Sequence, residues 1–282
     1  MKASRTPAGC VKSIGVVVPA NNEEVLIADC LASLSRAAAH PDLQAVPTTV
    51  KILVVLDDCA DQTAGICARY SVPTVVATER NVGRARHLGA MEMVRQHRTE
   101  PLDQLWLAMT DADSVVAPDW LAQQKRLAES GADAVFGVVD VTDWSSYSEN
   151  ASRLFGDLYA GTAISEPGPH LHVHGACLGV RADVYLRVGG ITGIPVGEDH
   201  ALSAALEAAG ANVARTTSVR VTTSARPHSR VTGGFASLLS SLETTERCIG
   251  QGSPPRPKPP ARLVCQNRRW ESNQSSAIGE RR

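Results

Sequence analysis

Residues 14–139 alternate short β-branched apolar runs with stretches of helical periodicity. Ile14-Gly15-Val16-Val17-Val18 predicts a buried strand stopped by Pro19, and Glu23 to Ala39 a helix with Val25, Leu26, Ala28, Leu31 and Leu34 on its apolar face. Ile52–Leu56 and Thr74–Thr78 predict two more strands, with a helix over Asp61–Tyr70 between them. Gly83–His97 reads as a helix, Leu105–Met109 as a strand, Pro118–Ser130 as a helix with proline in its first turn, and Ala134–Val139 as a strand. Continuous apolar strands separated by helices imply a mostly parallel sheet covered on both faces, an α/β fold. Beyond Val139 the pattern loosens. Trp144, Tyr147, Ala151, Leu154, Phe155 and Leu158 keep helical spacing, as a packing face or as a wall for a second substrate. His172–Val180 is a candidate strand, Ala182–Val188 and Glu198–Ala209 are helices, Asn212–Val221 an edge strand, and Gly234–Cys248 a last helix.

Composition narrows the classes. The 282 residues are 43% hydrophobic and 20% charged, which is ordinary for a globular chain, and the formal net charge of −1 gives no global reason to bind nucleic acid. No apolar run reaches the roughly 20 residues of a spanning helix, and Met1–Lys12 lacks the apolar centre of a signal peptide. Seven scattered cysteines form no C-x-x-C pair. The expectation is a reduced, cytoplasmic protein; a homodimer is left open. Residues 251–282 carry five prolines, seven basic and two acidic residues, so this +5 tail leaves the remainder at −6. The expected organisation is a flexible start over 1–12, one domain over 13–248 with halves 13–139 and 140–248, and a disordered Pro/basic tail over 249–282.

Ligands of open α/β sheets bind outside the carboxyl ends of the strands. Four predicted strands end in polar, mostly acidic segments: Pro19-Ala20-Asn21-Asn22-Glu23-Glu24, Asp57-Asp58-Cys59-Ala60-Asp61, Glu79-Arg80-Asn81-Val82-Gly83-Arg84 and Asp111-Ala112-Asp113. The last places two carboxylates at i and i+2 in a turn, hard donors suited to Mg²⁺ or Mn²⁺ shared with substrate phosphate. Asp57 and Asp58 suit a base N–H or ribose hydroxyls, while Asp58 or Asp61 caps the next helix, and both readings can hold with one Asp for each job. Glu23 binds ribose or favours the helix dipole. Arg84, with Arg80 and Arg86 near it, could reach a phosphate or remain solvated. The Walker loop, the dinucleotide fingerprint and the G-x-S-x-G elbow are all absent. His170, His172 and His174, if extended, would share one face in a pattern known from zinc sites; Pro167 and Pro169 disturb that geometry, and a place for His174 near a sugar is preferred.

These segments, in this order, resemble family 2 glycosyltransferases, which have the GT-A fold. The resemblance also takes in Asp61-Gln62-Thr63, Asn81 to Gly89, Gly175-Ala176-Cys177-Leu178-Gly179-Val180-Arg181 and Glu198-Asp199, and runs from about Ile14 to about Phe235. It implies that Pro19, Ala20, Glu23 and Asp57 or Asp58 hold the nucleoside, Arg84 faces the diphosphate, and Asp111, Ala112 and Asp113 frame it, with Asp113 and Asp111 on Mn²⁺ or Mg²⁺. Arg226-Pro227-His228 resembles the R-x-H of glucosyl-3-phosphoglycerate synthases and makes His228 a further metal ligand. Asp199 would be the base of an inverting enzyme, with Glu198, His174, Gly175 and His200 on the sugar and acceptor side. The implied substrates are a nucleoside-diphosphate sugar, UDP before GDP, and a small hydroxyl-bearing acceptor. Cys59-Ala60, where the family has a Ser/Thr turn, and His200 after the acidic pair depart from the pattern and leave the sugar, acceptor and stereochemistry open. A sugar-nucleotide nucleotidyltransferase and a catalytically silent nucleotide-sugar-binding protein are the alternatives.

Overall fold

The first strand, β1 (Ser13–Ala20), is buried along its whole length, and its side chains divide by parity. Ile14, Val16, Val18 and Ala20 enter one hydrophobic cluster and Val17 the other. A strand with apolar residues on both faces needs a layer on each side, and the remaining elements supply them. The computed structural model describes residues 10–97, 101–141, 144, 147–160, 170 and 172–224.

In chain order the elements are β1, α1 (Ile27–Ala38), α2 (Pro41–Ala45), β2 (Thr49–Asp57), α3 (Thr63–Arg69), β3 (Thr74–Ala77), α4 (Val82–Gln96), β4 (Leu105–Met109), β5 (Ser114–Val116), α5 (Trp120–Glu129), β6 (Ala134–Val141), α6 (Glu149–Ala160), β7 (Leu178–Arg181), α7 (Ala182–Arg187), α8 (Glu198–Ala208) and β8 (Val213–Thr223). Among the described residues the strands form one eight-stranded sheet in the order β3-β2-β1-β4-β7-β6-β8-β5. The first four positions are mutually parallel, β7 is antiparallel to both neighbours, and β8 runs parallel to β6 but antiparallel to β5. One face is covered by Ile27, Leu31 and Leu34 of α1, Ile66 of α3 and Trp120 of α5. The other is covered by Ala85, Ala90 and Met93 of α4, Tyr185 of α7, and Leu202 and Leu206 of α8. Leu31 is fully buried, so Leu31→Ala costs about 2–5 kcal/mol.

Several boundaries differ from the sequence reading for local reasons. Pro19 does not stop β1, which pairs with β2 as far as Ala20. Val17 accepts from the Thr110 N–H on the β4 side, and pairing with β4 ends there. Pro19 has the same parity and faces beyond the end of β4, so its missing N–H leaves no ladder bond unmade. The first helix begins at Ile27 rather than Glu23, because residues 21–26 are tied to the neighbouring tip; Val25, predicted on the apolar face, is 82% exposed. The predicted strand over His172–Val180 shrinks to β7. The predicted edge strand near Asn212–Val221 lies inside the sheet as β8, with the short, unforeseen β5 outside it. The aromatic stripe divides: α6 begins at Glu149 and buries Ala151 and Phe155, while Trp144 precedes it and meets the Phe155 ring at 5.4 Å between centroids. The predicted helix over Gly234–Cys248, the tail and His228 lie outside the described residues.

Candidate functional site

Parallel pairing sets the tips of β2, β1 and β4 side by side, so the acidic segments that follow them share one edge of the sheet. The first two tips are laced together. Asn21 donates from Nδ2 to the Asp57 carbonyl at 2.6 Å, the Ala60 N–H donates to Asn22 Oδ1 at 2.8 Å, and the Glu23 N–H donates to Thr63 Oγ1 at 2.8 Å. Asp61 accepts from the Thr63 and Glu24 N–H groups. Burial works against its charge, but the hydrogen bonds together, led by that of the Thr63 hydroxyl, outweigh it and hold its carboxyl below the usual range. Asn22, Asp58 and Arg80 all have left-handed backbones, with φ of 53°, 53° and 48°. They follow β1, β2 and β3 in turn, a conformation costly for arginine in particular and typical of shaped binding loops.

The paired aspartates divide the work. Asp57 is buried; its Oδ1 accepts from the Glu79 and Arg80 N–H groups at 2.9 and 3.0 Å, and its Oδ2 from the Asn81 N–H at 2.8 Å. It fastens the third tip rather than facing solvent. Asp58 is the exposed partner and pairs with Arg80. Asn81 caps α4 by accepting from the Arg84 N–H at 2.9 Å, and donates to the Gly193 carbonyl at 3.1 Å. Arg84 is exposed and pairs with Glu79.

The D-x-D turn lies at the end of β4. Ala112 is buried between the two carboxylates. Asp113 Oδ1 receives long contacts from Ser114 Oγ at 3.3 Å and Thr223 Oγ1 at 3.4 Å. Cys30 reports on the grouping: burial, then Asp113, Asp111 and Glu23, push its thiol far above the usual range. Carboxylates from the β1 and β4 tips therefore act on one point. Burial also pushes the Asp111 carboxyl up; Arg86 opposes this and Asp113 adds to it.

Arg86, in sequence only a neighbour of Arg84, is the hub of the site. Its side chain is 4% exposed and pairs with Asp111 through Nη2 and with Glu198 through Nη1. Burial disfavours its charge, and Asp111 and Glu198 more than restore it, so its pKa lies above the ordinary value. Removing one partner of such a buried pair costs about 3–5 kcal/mol. The signal was available: Arg86 shares the spacing of Gly89, Ala90 and Met93, the buried stripe of α4, so a cation sits on an apolar face. The packing around it demands glycine. A Cβ on Gly175 would lie 2.6 Å from Arg86 Cζ, and one on Gly83 would lie 2.4 Å from the Thr192 carbonyl oxygen and 3.2 Å from Glu198 Cβ.

Glu198 is buried, and its carboxylate is engaged by Arg86. Asp199 is held differently. Its Oδ2 accepts from the Gly175 N–H at 2.9 Å and its Oδ1 from the His200 N–H at 2.8 Å. Gly197, at φ 81°, makes the left-handed turn into α8 that presents this pair. His200 is exposed. His170, His172 and His174 form a row, with ring centroids 5.5 and 5.7 Å apart. Burial first, then His172, pulls the His174 imidazole down to about 4, so it is neutral near pH 7. Among the described residues no group of three or more His, Cys, Asp or Glu is arranged to hold a metal. The D-x-D pair still suits a hard cation, because Mg²⁺ and Mn²⁺ keep waters and take substrate phosphate oxygens beside one or two carboxylates.

The glycosyl transferase family 2 model matches residues 15–189, more than half of the chain and all the tips just described. The chain belongs to glycosyl transferase family 2. No curated protein matches it in sequence. Solved structures share the GT-A architecture at low identity. The mannosyltransferase PcManGT from Pyrobaculum calidifontis, in complex with GDP-Man and Mn²⁺, is 18% identical with a TM-score of 0.56, covering 90% of this chain and 68% of that one. Glucosyl-3-phosphoglycerate synthase from Mycobacterium tuberculosis, in complex with Mn²⁺, UDP and phosphoglyceric acid, is 17% identical with a TM-score of 0.51, covering 86% and 77%. A fragment of S. aureus TarS is 14% identical with a TM-score of 0.53; the match covers 76% of this chain and 61% of the fragment. The chain spans 37% of a longer TarS chain. No described helix is long and apolar enough to cross a membrane.

Proposed function

We propose that the enzyme moves a sugar from a nucleoside-diphosphate sugar, UDP before GDP, to a small hydroxyl-bearing acceptor, with Mn²⁺ or Mg²⁺. One observation carries this: a single buried guanidinium, Arg86, touches both the D-x-D turn and the Glu198-Asp199 pair, so donor and acceptor chemistry share one site. Structural neighbours crystallised with Mn²⁺ and with GDP-Man or UDP support the same substrate class. The 13–139 half binds the donor and the 140–248 half the acceptor.

Pro19 and Ala20 form the β1 wall of the nucleoside site. Asp58 accepts from the base or ribose, with Glu23 beneath, while Asp57 shapes the loop that carries Arg84 toward the diphosphate. Asp113, with Asp111 and His228, would hold the cation, which supplies positive charge against the diphosphate leaving group. The acceptor oxygen bonds to the anomeric carbon as the bond from that carbon to the diphosphate oxygen breaks. Its proton passes to Asp199, whose oxygens each accept one backbone N–H and keep further acceptor capacity. Neutral His174, with Gly175 and His200, forms the sugar and acceptor wall.

The test is release of nucleoside diphosphate from a panel of UDP-, GDP- and dTDP-sugars, with and without Mn²⁺ and hydroxyl acceptors. Cation-dependent release from a UDP-sugar, accelerated by one acceptor class, is expected. Binding without release would instead mark a silent nucleotide-sugar-binding protein.

A further inference from the structure

We propose that Arg86 is a positioning residue that couples occupancy of the diphosphate site to the order of the acceptor site, through its shared ion pairs with Asp111 and Glu198. This rests on the function proposed above, and it concerns a link within the chain rather than a ligand.

The guanidinium is buried and divided between two carboxylates from different halves of the sequence. A planar fork can serve both at once, and what one partner gains in hold the other loses. Asp111 belongs to the turn that meets the diphosphate and its cation; positive charge arriving there weakens the claim of Asp111 on Arg86 and leaves Glu198 the stronger partner. Glu198 is the first residue of α8, so a firmer pair with Arg86 steadies the start of that helix. Two contacts pass the effect onward. Gly83, next to Arg84 on α4, lies directly against Glu198, and Gly175 lies against the guanidinium while its N–H donates to Asp199 at 2.9 Å. Arg86 is thus in close contact with Gly175, and Gly175 is hydrogen-bonded to Asp199, so the three have little freedom to move separately. Donor binding should therefore order the base before an acceptor arrives.

The experiment is hydrogen exchange by mass spectrometry on the full chain, using UDP and Mn²⁺ as the probe, with binding followed separately by calorimetry. The amides read are those of Gly175 and His200, both of which donate to Asp199. In the wild type, UDP with Mn²⁺ slows their exchange about fivefold, the low end of ordinary coupling between sites. Glu198→Gln keeps the volume and an acceptor oxygen but removes the charge; Arg86→Lys keeps the charge but not the fork. Each variant, once its melting curve shows it folded, loses the slowing while still binding UDP. Slowing of equal size in both variants overturns the coupling. Binding without slowing in the wild type overturns it too and leaves the proposed function standing, whereas absence of binding by both UDP and GDP removes both.

Discussion

Arg86 and Glu198 lie 112 residues apart in sequence and form a buried ion pair that ties α4 to the first turn of α8. The pair explains why small residues surround it. The guanidinium is fixed by carboxylates on two sides, so whatever lies over its face must lack a side chain.

Gly175→Ala tests that geometry. A methyl 2.6 Å from Arg86 Cζ cannot be met by a simple rotation, because both arms of the fork are engaged. The expected cost is about 1–3 kcal/mol of stability, together with a large loss of turnover. Gly156→Ala, in α6 with nothing within 4 Å of the new methyl, should instead gain about 0.5–1 kcal/mol. Urea unfolding of the two variants beside the wild type measures both.

The two aspartates after β2 should separate cleanly. Asp57→Ala removes the buried carboxylate that accepts from the N–H groups of residues 79–81, and should lose about 2 kcal/mol of stability. Asp58→Asn keeps a residue that tolerates the left-handed backbone and should leave the melting midpoint within about 2 °C, while weakening UDP binding about tenfold. Equal stability loss in both would show that the division between them is wrong.

Acid should destabilise the fold through His174. Its folded pKa of about 4 lies below the ordinary 6.5, so the unfolded chain takes up a proton between those values that the folded chain refuses. Stability is complete above pH 6.5 and falls as pH drops toward 4. His170, lowered by burial and by His172, acts in the same direction. Melting midpoints at pH 7.5, 6 and 5 should decline, and His174→Gln should shallow the decline.

The parallel half of the fold was legible because its strands are buried on both faces and read as unbroken apolar runs; β4 lies at its predicted residues. The antiparallel half was not. β5 has three residues, too few to show a period, and β8 (VARTTSVRVTT) looks polar enough for an edge although it is interior. Proline at 19 misled because its effect depends on which neighbour its missing N–H faces. The acidic tips were readable as residue types at strand ends. The separate duties of Asp57 and Asp58, and of Glu198 and Asp199, were not, because burial and partners distinguish them and sequence order does not.

The most direct test of the site is calorimetric titration of UDP into the wild type and Asp113→Asn, each with Mn²⁺ and again with the metal chelated. Wild-type binding should weaken by at least about tenfold, roughly 1.4 kcal/mol, on chelation, and Asp113→Asn should match the chelated wild type while melting within about 2 °C of it. UDP binding of equal strength in the wild type and the variant, indifferent to Mn²⁺, would contradict a cation held at the D-x-D turn.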